Sequence, residues 1–532
     1  MVNGFKVITL CGSTRFKDEF LEVQKRLTLE GNVVISVGLF GHSGDKEVWT
    51  EGVKDMLDRQ HLAKIDLADE IFVVNVGGYI GDSTRREIAY AEFKGKTIKY
   101  MENSMKASIY DNYAALRELH DAGRLSDEDF EKAGRDFDEK RKAAIAEYNA
   151  CQGPWPYQWR NIDAVVCGIL QQLGKISIDY QDLKFLYSSY RLWEIRISDN
   201  SNNESERLEN ICQSLHKNYE YILQNAQKLV VTLNYSPNSQ TNMDDMDSLQ
   251  TCLNEIKPGI EIIWQLRKAN KANESLEVSI IIKHKYDDWV DRVRKFLLEV
   301  GPKLGEKGTH CATFQSKPLL DRQPDVVFLG YNPHESWEFY KEEITPERFY
   351  EGNPSFYSDD RKNKNIWRVW RYEESFKWAN FNTPIEDGRF VFFNAVYFGT
   401  NSIDEFEKIK GSKDAIDKCH EYTEEVIQYI FRPKCVVCFS VEDCFDRLNT
   451  KFNFQQVKFV NTAEETEKNI LDEILSSHKW IKIHNCTTTV KRAVWNDIPV
   501  YGIPHASRRN LSRDDRAAIA LYLKGEMQKL GI

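Results

Sequence analysis

One pattern constrains this chain more than any other, and it occurs at both ends. Short runs that are apolar throughout alternate with segments of helical spacing. In residues 1–102 the apolar runs are Phe5–Leu10, Val33–Val37, Ile71–Asn75 and Thr97–Met101. Between them lie Lys17–Glu30, Thr50–Leu67 and Ser83–Phe93, each with helical periodicity. Strands that are apolar on both faces, separated by amphipathic helices, predict a parallel sheet covered on both sides. Residues 301–532 repeat the pattern. Buried strands are expected at Asp325–Gly330, Phe390–Val396, Cys435–Ser440 and Pro499–Ile503, and helices at Ala415–Tyr429 and Ser512–Lys529.

The segment between these ends reads differently. Residues 103–150 predict a helical hairpin, with Leu116 and Leu119 before an Asp121-Ala122-Gly123 turn. Ser126 and the acidic Asp127–Asp129 would then cap a charged second helix. A spacer or oligomerisation element fits this hairpin. Residues 151–300 are aromatic and read as a mainly helical domain of unknown role. Polar stretches at Ser198–Ser205 and Ser236–Asp247 interrupt it as loops.

The chain has 532 residues, enough for about three domains at roughly 100–200 residues each. No apolar window approaches the roughly 18 residues of a membrane helix. The N-terminus reads as a first strand, not a signal peptide. Eleven scattered cysteines suit a reducing, cytoplasmic compartment without a disulfide framework. Net charge is −10, so any nucleic-acid contact must come from a local patch.

In the N-terminal region the first strand runs into Cys11-Gly12-Ser13-Thr14-Arg15 and a helix. Such a turn offers backbone N–H groups and hydroxyls to an anion, and Arg15 adds a bidentate donor. The third strand, after Asp66-Leu-Ala-Asp69, leads through Gly77–Gly81 to Ser83 and Glu87. Glu87 is expected in the first turn of the next helix. A carboxylate at a sheet edge can attack an anomeric carbon, or it can simply complement the helix dipole. Asp69 can likewise serve only to start a strand. These motifs resemble the nucleoside 2-deoxyribosyltransferase-like superfamily over about 100 residues. The resemblance implies Glu87 as nucleophile and Asp69 as an assistant to the leaving base or the sugar. It implies Gly12, Ser13, Arg15 and Ser83 as the nucleotide- and phosphate-binding set.

In the C-terminal region three polar clusters follow or interrupt apolar strands: Tyr331-Asn332-Pro333-His334, Asn394, and His505 through Asn510. Hydrolysis of an N-glycosidic bond needs a positioned water, a donor where the departing base gains charge, and a base held outside the DNA stack. Asn332 can orient water, His505 can donate to a base oxygen, and Asn394 can read a base edge. The clusters resemble the uracil-DNA glycosylase superfamily over roughly residues 310–530, in its mismatch-specific and single-strand-selective branches. That resemblance implies Asn332 and His505 as catalytic, and Asn394, Tyr331 and Phe356 or Tyr357 as base-binding residues. Ser507, Arg508 and Arg509 follow as the DNA-wedging loop. Ala506 stands where Pro is usual and His334 where Gly is usual, which leaves the target base open.

Arg361, Lys362, Lys364, Arg368 and Arg371 form a run without an acid, interleaved with Trp367, Trp370 and Tyr372. The composition suits phosphate contact plus base stacking. An amphipathic helix with its tryptophans in the core is the other reading. Cys435 and Cys438 lie three apart on one strand, so they face opposite sides and read as buried thiols. No cofactor and no metal site is expected.

The sequence therefore predicts an α/β chain of two parallel-sheet domains separated by a mainly helical region. The first is Rossmann-like and spans 1–102. The second is uracil-DNA-glycosylase-like and spans 301–532. The expected partners are DNA for the second and a nucleotide or nucleoside for the first, with no membrane. The expected activity is N-glycosidic bond hydrolysis on an unusual or modified base, in phage defence or DNA repair. The alternative is a non-catalytic DNA sensor coupled to an N-terminal nucleotide hydrolase or deoxyribosyltransferase.

Overall fold

The computed structural model describes residues 1–102, 107–171, 174–176, 178–201, 204–235, 243–268, 276–304, 316–331, 344–353, 388–399, 403–478, 482, 486, 489–505 and 511–532. The chain divides into two compact units. One holds Met1–Ile211, Lys228–Leu249 and Glu261–Lys283; the other holds Cys212–Gln227, Gln250–Ile260 and His284–Ile532. No helix among the described residues is long and apolar enough to cross a membrane.

The first unit begins with β1 (Val7–Gly12), α1 (Lys17–Leu29), β2 (Val33–Ile35), α2 (Val53–Leu67), β3 (Glu70–Val74), α3 (Asp82–Phe93) and β4 (Thr97–Tyr100). The strands lie in the order β2-β1-β3-β4, and every neighbouring pair is parallel. The two-residue period of a strand divides the core. Ile8 and Leu10 pack with Phe72 and Val74 against Phe20, Val23 and Leu27 of α1. Cys11, Ile71 and Val73 face the other side, with Leu62 and Ile65 of α2 and Ile88 and Ala89 of α3. That alternation decides what Cys11 can meet.

The helical hairpin forms as α4 (Ile109–Asp121) and α5 (Asp127–Ala150). Ser126 caps α5 by accepting from the Asp129 N–H, as its position before an acidic first turn predicts.

The mainly helical reading of 151–300 is corrected. This stretch carries β5 (Tyr157–Trp159), β6 (Gly174–Ile176), β7 (Leu192–Asp199), β8 (Ala226–Tyr235), β9 (Glu261–Lys268) and β10 (Leu276–His284). They build one six-stranded sheet in the order β5-β7-β10-β8-β9-β6. The pairing is mixed, with β8 and β9 parallel and β7 and β10 antiparallel. The physical reason is that polar residues interrupt these strands, such as Glu194 and Arg196 in β7 and Lys228 and Thr232 in β8, so no continuous apolar run marks them. The β-branched Val230-Val231-Thr232 and Ile280-Ile281-Ile282 runs were the available strand signal. Glu194 of β7 is fully buried at the centre of a polar cluster. It accepts from Tyr148 Oη, Trp159 Nε1 and Ser279 Oγ, each at 2.8 Å, and from Arg196 Nε at 2.7 Å.

The second unit holds β11 (Val326–Gly330), β12 (Phe390–Asn394), β13 (Cys435–Phe439), β14 (Gln455–Asn461), β15 (Thr489–Trp495) and β16 (Ile498–Ile503). Their order is β12-β11-β13-β16-β15-β14. β11 is parallel to β12 and β13, and β13 is parallel to β16. β15 and β14 then extend the sheet antiparallel, two strands the sequence reading does not contain. The exposed pattern of β14, with only Val460 buried, hides it from an apolar-run criterion. The last helix, Arg513–Lys529, buries Ala517 through Met527 against this sheet. Cys435 packs with Val437 and Phe439 in the same core. Cys438, one pleat out of phase, lies beside Cys444 instead.

Candidate functional site

Each parallel sheet presents a carboxyl edge, where loops leave the strands and ligands bind in open α/β sheets. In the first unit β1 ends at Gly12, whose φ is +150°. A Cβ there would stand 2.6 Å from the Val74 carbonyl oxygen and 3.2 Å from the Phe20 ring. Only glycine lets β1 leave the sheet so close to β3. Ser13 Oγ then accepts from Arg15 Nε at 3.1 Å, and Arg15 donates to Tyr79 Oη at 3.2 Å while stacking over its ring. Thr14 Oγ1 and His42 Nδ1 are 2.7 Å apart. An exposed guanidinium is thus held by a serine and an aromatic ring beside a glycine turn.

Beneath this turn three side chains meet. Cys11 Sγ lies 3.4 Å from His61 Nε2. His61 Nε2 lies 3.6 Å from Glu87 Oε2. Ser83 Oγ donates to Glu87 Oε1 at 3.3 Å. Burial, and then the Glu87 carboxylate, push the Cys11 thiol well above its usual range. Glu87 Oε2 is buried, facing the Cys11 thiol and the His61 imidazole. The structure brings Ser83 and Glu87 together. It adds Cys11 and His61, which the sequence reading assigned no role. The signal for Cys11 was its parity with Ile71 and Val73. For His61 there was none, since 50 residues separate it from Cys11.

Two placements are corrected. α3 starts at Asp82, so Glu87 lies in its second turn rather than its first, beyond the turn where the helix dipole acts. Asp69 does not belong to this edge at all. It precedes β3 and accepts from the Val7 N–H, at the start of β1, at 2.9 Å. Its other oxygen meets the Met1 amino group at 2.6 Å. Parallel strands enter the sheet from that end, the full length of β1 away from Gly12. Asp66 is likewise structural, accepting from Tyr90 Oη at 2.9 Å.

In the second unit Gly330, Asn394, Phe439 and Ile503 end neighbouring parallel strands at one edge. Gly330 stands opposite Asn394 in register. The ladder continues past the strands, with Ala395 N donating to Gly330 O and Val396 N to Tyr331 O. Asn394 is buried. His505 follows Ile503 by two residues and is partly buried. Neighbouring strands lie about 4.8 Å apart, so the loop after β11 and the loop after β16 start roughly 10 Å apart. Tyr331 is buried, and its hydroxyl lies 3.1 Å from His420 Nε2, with the Arg447 guanidinium over its ring. Ser440 joins this edge without having been predicted. Its φ of +100° is unusual for a side-chain-bearing residue, and its hydroxyl accepts from the Asp443 N–H at 3.0 Å. Backbone in such regions clusters at functional sites.

Asn332, Phe356, Tyr357, Arg361, Lys362, Lys364, Arg368, Arg371, Ser507, Arg508 and Arg509 lie outside the described residues.

No family model matches the chain, and no curated protein matches it in sequence. Among solved structures it is similar to the FtsZ dimer of M. jannaschii at 11% identity and a TM-score of 0.19, covering 53% of this chain and 88% of that one. The TubZ protofilament of Bacillus thuringiensis serovar israelensis in its GDP form is similar at 13% identity and a TM-score of 0.18, covering 48% of this chain and 74% of that one. Likeness at these scores bears on neither the fold nor the site.

Proposed function

We propose that this chain hydrolyses the N-glycosidic bond of an unusual or modified base in DNA, at the carboxyl edge of its second unit. One observation carries the reading. Gly330 and Asn394 end paired parallel strands, and His505 follows a strand of the same parallel set. The strands that precede the clusters resembling the uracil-DNA glycosylase superfamily end at one edge, which supports the reading.

In this reaction water adds through its oxygen to the sugar C1′. The C1′–N bond breaks, the base leaves with the bonding pair, and the proton that the water loses ends, through solvent, on the departed base. Asn332 positions the water. His505 donates to the base oxygen where negative charge develops, a contribution of roughly 3–4 kcal/mol in comparable anion-stabilising sites. Asn394, held buried opposite a residue without a side chain, presents its amide to the base edge. Phe356 or Tyr357 stacks on the flipped base, and the Arg361–Arg371 run with Arg508 and Arg509 contacts phosphates. The first unit binds a nucleotide or nucleoside through Ser13, Arg15 and Ser83.

The test is mass spectrometry of bases released from DNAs carrying different modifications, modified phage DNA among them. Asn332→Ala and His505→Ala should each abolish abasic-site formation. If both keep it while Glu87→Ala alone removes activity, with free base and sugar phosphate as products, the first unit is the effector and the glycosylase assignment falls.

A further inference from the structure

Cys11, His61 and Glu87 come from three separate elements, β1, α2 and α3, and their ligand-type atoms all lie within 4.8 Å of one another. A tetrahedral zinc ion with a sulfur ligand at about 2.3 Å and nitrogen or oxygen ligands at about 2.0–2.1 Å requires ligand-to-ligand edges of roughly 3.3–3.6 Å. The Sγ–Nε2 edge is 3.4 Å and the Nε2–Oε2 edge is 3.6 Å. The third atom, Glu87 Oε2, is buried and faces the His61 imidazole at 3.6 Å and the Cys11 thiol, with no stronger donor on it among the described residues. A buried carboxylate oxygen met only by a weak thiol donor and a distant imidazole is costly, and a cation held by all three groups would complete it. Ser83 holds the other oxygen, as outer-shell groups orient metal ligands. A rigid sheet-and-helix frame carries all three groups, and no loop has to move to assemble them.

We propose that Cys11, His61 and Glu87 bind a divalent ion of the zinc class. A thiolate, an imidazole and a carboxylate together select zinc or a similar borderline ion over magnesium or calcium, which take oxygen shells. Three protein ligands leave a fourth position, the arrangement of zinc sites that engage a ligand rather than only brace a fold. The Gly12–Arg15 turn begins one residue beyond Cys11, so water or an anionic oxygen of a phosphate or carboxylate is the class that completes the shell. This inference is independent of base excision in the second unit. It departs from the covalent role that resemblance implies for Glu87, because a carboxylate bound to the ion is not free to attack a sugar.

The experiment uses the purified full chain. Metal content is measured after equilibration with zinc and gel filtration, and cobalt(II) is titrated while absorption is recorded. The expected result is about one retained zinc per chain, with a thiolate-to-cobalt charge-transfer band and strong visible ligand-field bands. Cys11→Ser should remove the charge-transfer band. His61→Ala and the near-isosteric Glu87→Gln should each weaken zinc binding at least roughly tenfold. Glu87→Gln keeps the side-chain shape, so it decides the matter if the Cys11 variant fails to fold. No retained zinc and no thiolate band in the unmodified chain would overturn the proposal. So would a band that survives Cys11→Ser, or zinc affinity unchanged in Glu87→Gln.

Discussion

Gly330 and Asn394 face each other across the β11–β12 ladder so closely that a Cβ on residue 330 would lie 2.4 Å from Asn394 Oδ1. The Asn394 amide occupies the space that every other residue type would fill. Gly330→Ala should therefore turn the short Asn394 amide about χ2 rather than break the sheet. Stability should fall by about 1 kcal/mol. Base release should fall on the order of 100-fold, the cost of misplacing a contact by about 1 Å. Urea unfolding alongside an abasic-site assay separates the two effects.

Gly12→Ala should behave in the opposite way. Here the obstacle is the Val74 carbonyl, which cannot rotate away, and the backbone sits at positive φ. Strain and overpacking together should cost on the order of 3 kcal/mol. Circular dichroism during urea unfolding should show the loss, and it should exceed that of Gly330→Ala.

Glu194→Ala should destabilise the first unit by on the order of 3–5 kcal/mol. The substitution strands the Arg196 guanidinium and leaves Tyr148, Trp159 and Ser279 without their acceptor in a site closed to water. Glu194→Gln, which keeps an acceptor oxygen but brings an N–H₂ group against the remaining donors, should fall between the two. Thermal unfolding followed by near-ultraviolet circular dichroism reports the order.

Acid should weaken the second unit through His420. Burial, and next the charge on Lys451, lower this imidazole from 6.5 to about 4. The unfolded chain takes up the proton below about pH 6.5, whereas the folded chain resists until about pH 4. Stability is thus intact above the upper value and is lost as pH falls through that window, by on the order of 3 kcal/mol in total. His284, lowered to about 3 chiefly by burial, adds a loss of the same sign. His420→Asn should flatten the fall in urea midpoint between pH 6.5 and pH 4. A slope as steep as before would reject this account.

Asp69→Asn should leave nucleotide and metal binding unchanged, because its carboxylate serves the Val7 N–H at the entry end of the sheet. The stability cost should be small, since an accessible ion pair contributes little. Zinc retention by Asp69→Asn beside Glu87→Gln tests the placement directly.

Much of the frame was legible in the order of the residues. Continuous apolar runs announced β1, β3, β11, β12 and β13, because a strand buried on both faces needs apolar side chains at both parities. Ser126 announced the start of α5, because a capping hydroxyl acts on a backbone N–H three residues away. Even Asp69 carried its own correction, since a residue that precedes an apolar run enters a parallel sheet at its amino end. The central sheet was not legible. Polar residues interrupt its strands, and what makes them strands is pairing with distant partners, such as Val231 with Trp264.

The sequence by itself determined which segments could be buried and where the chain must turn, since both depend on side chains within a few residues of one another. Only the tertiary structure decided which polar groups meet. Cys11 reaches His61 and Glu87 because β1 lies between β2 and β3 with Cys11 on the face that α2 and α3 cover. Strand order and pleat parity are properties of the assembled sheet, set by packing across long stretches of chain, and no local run of residues carries them.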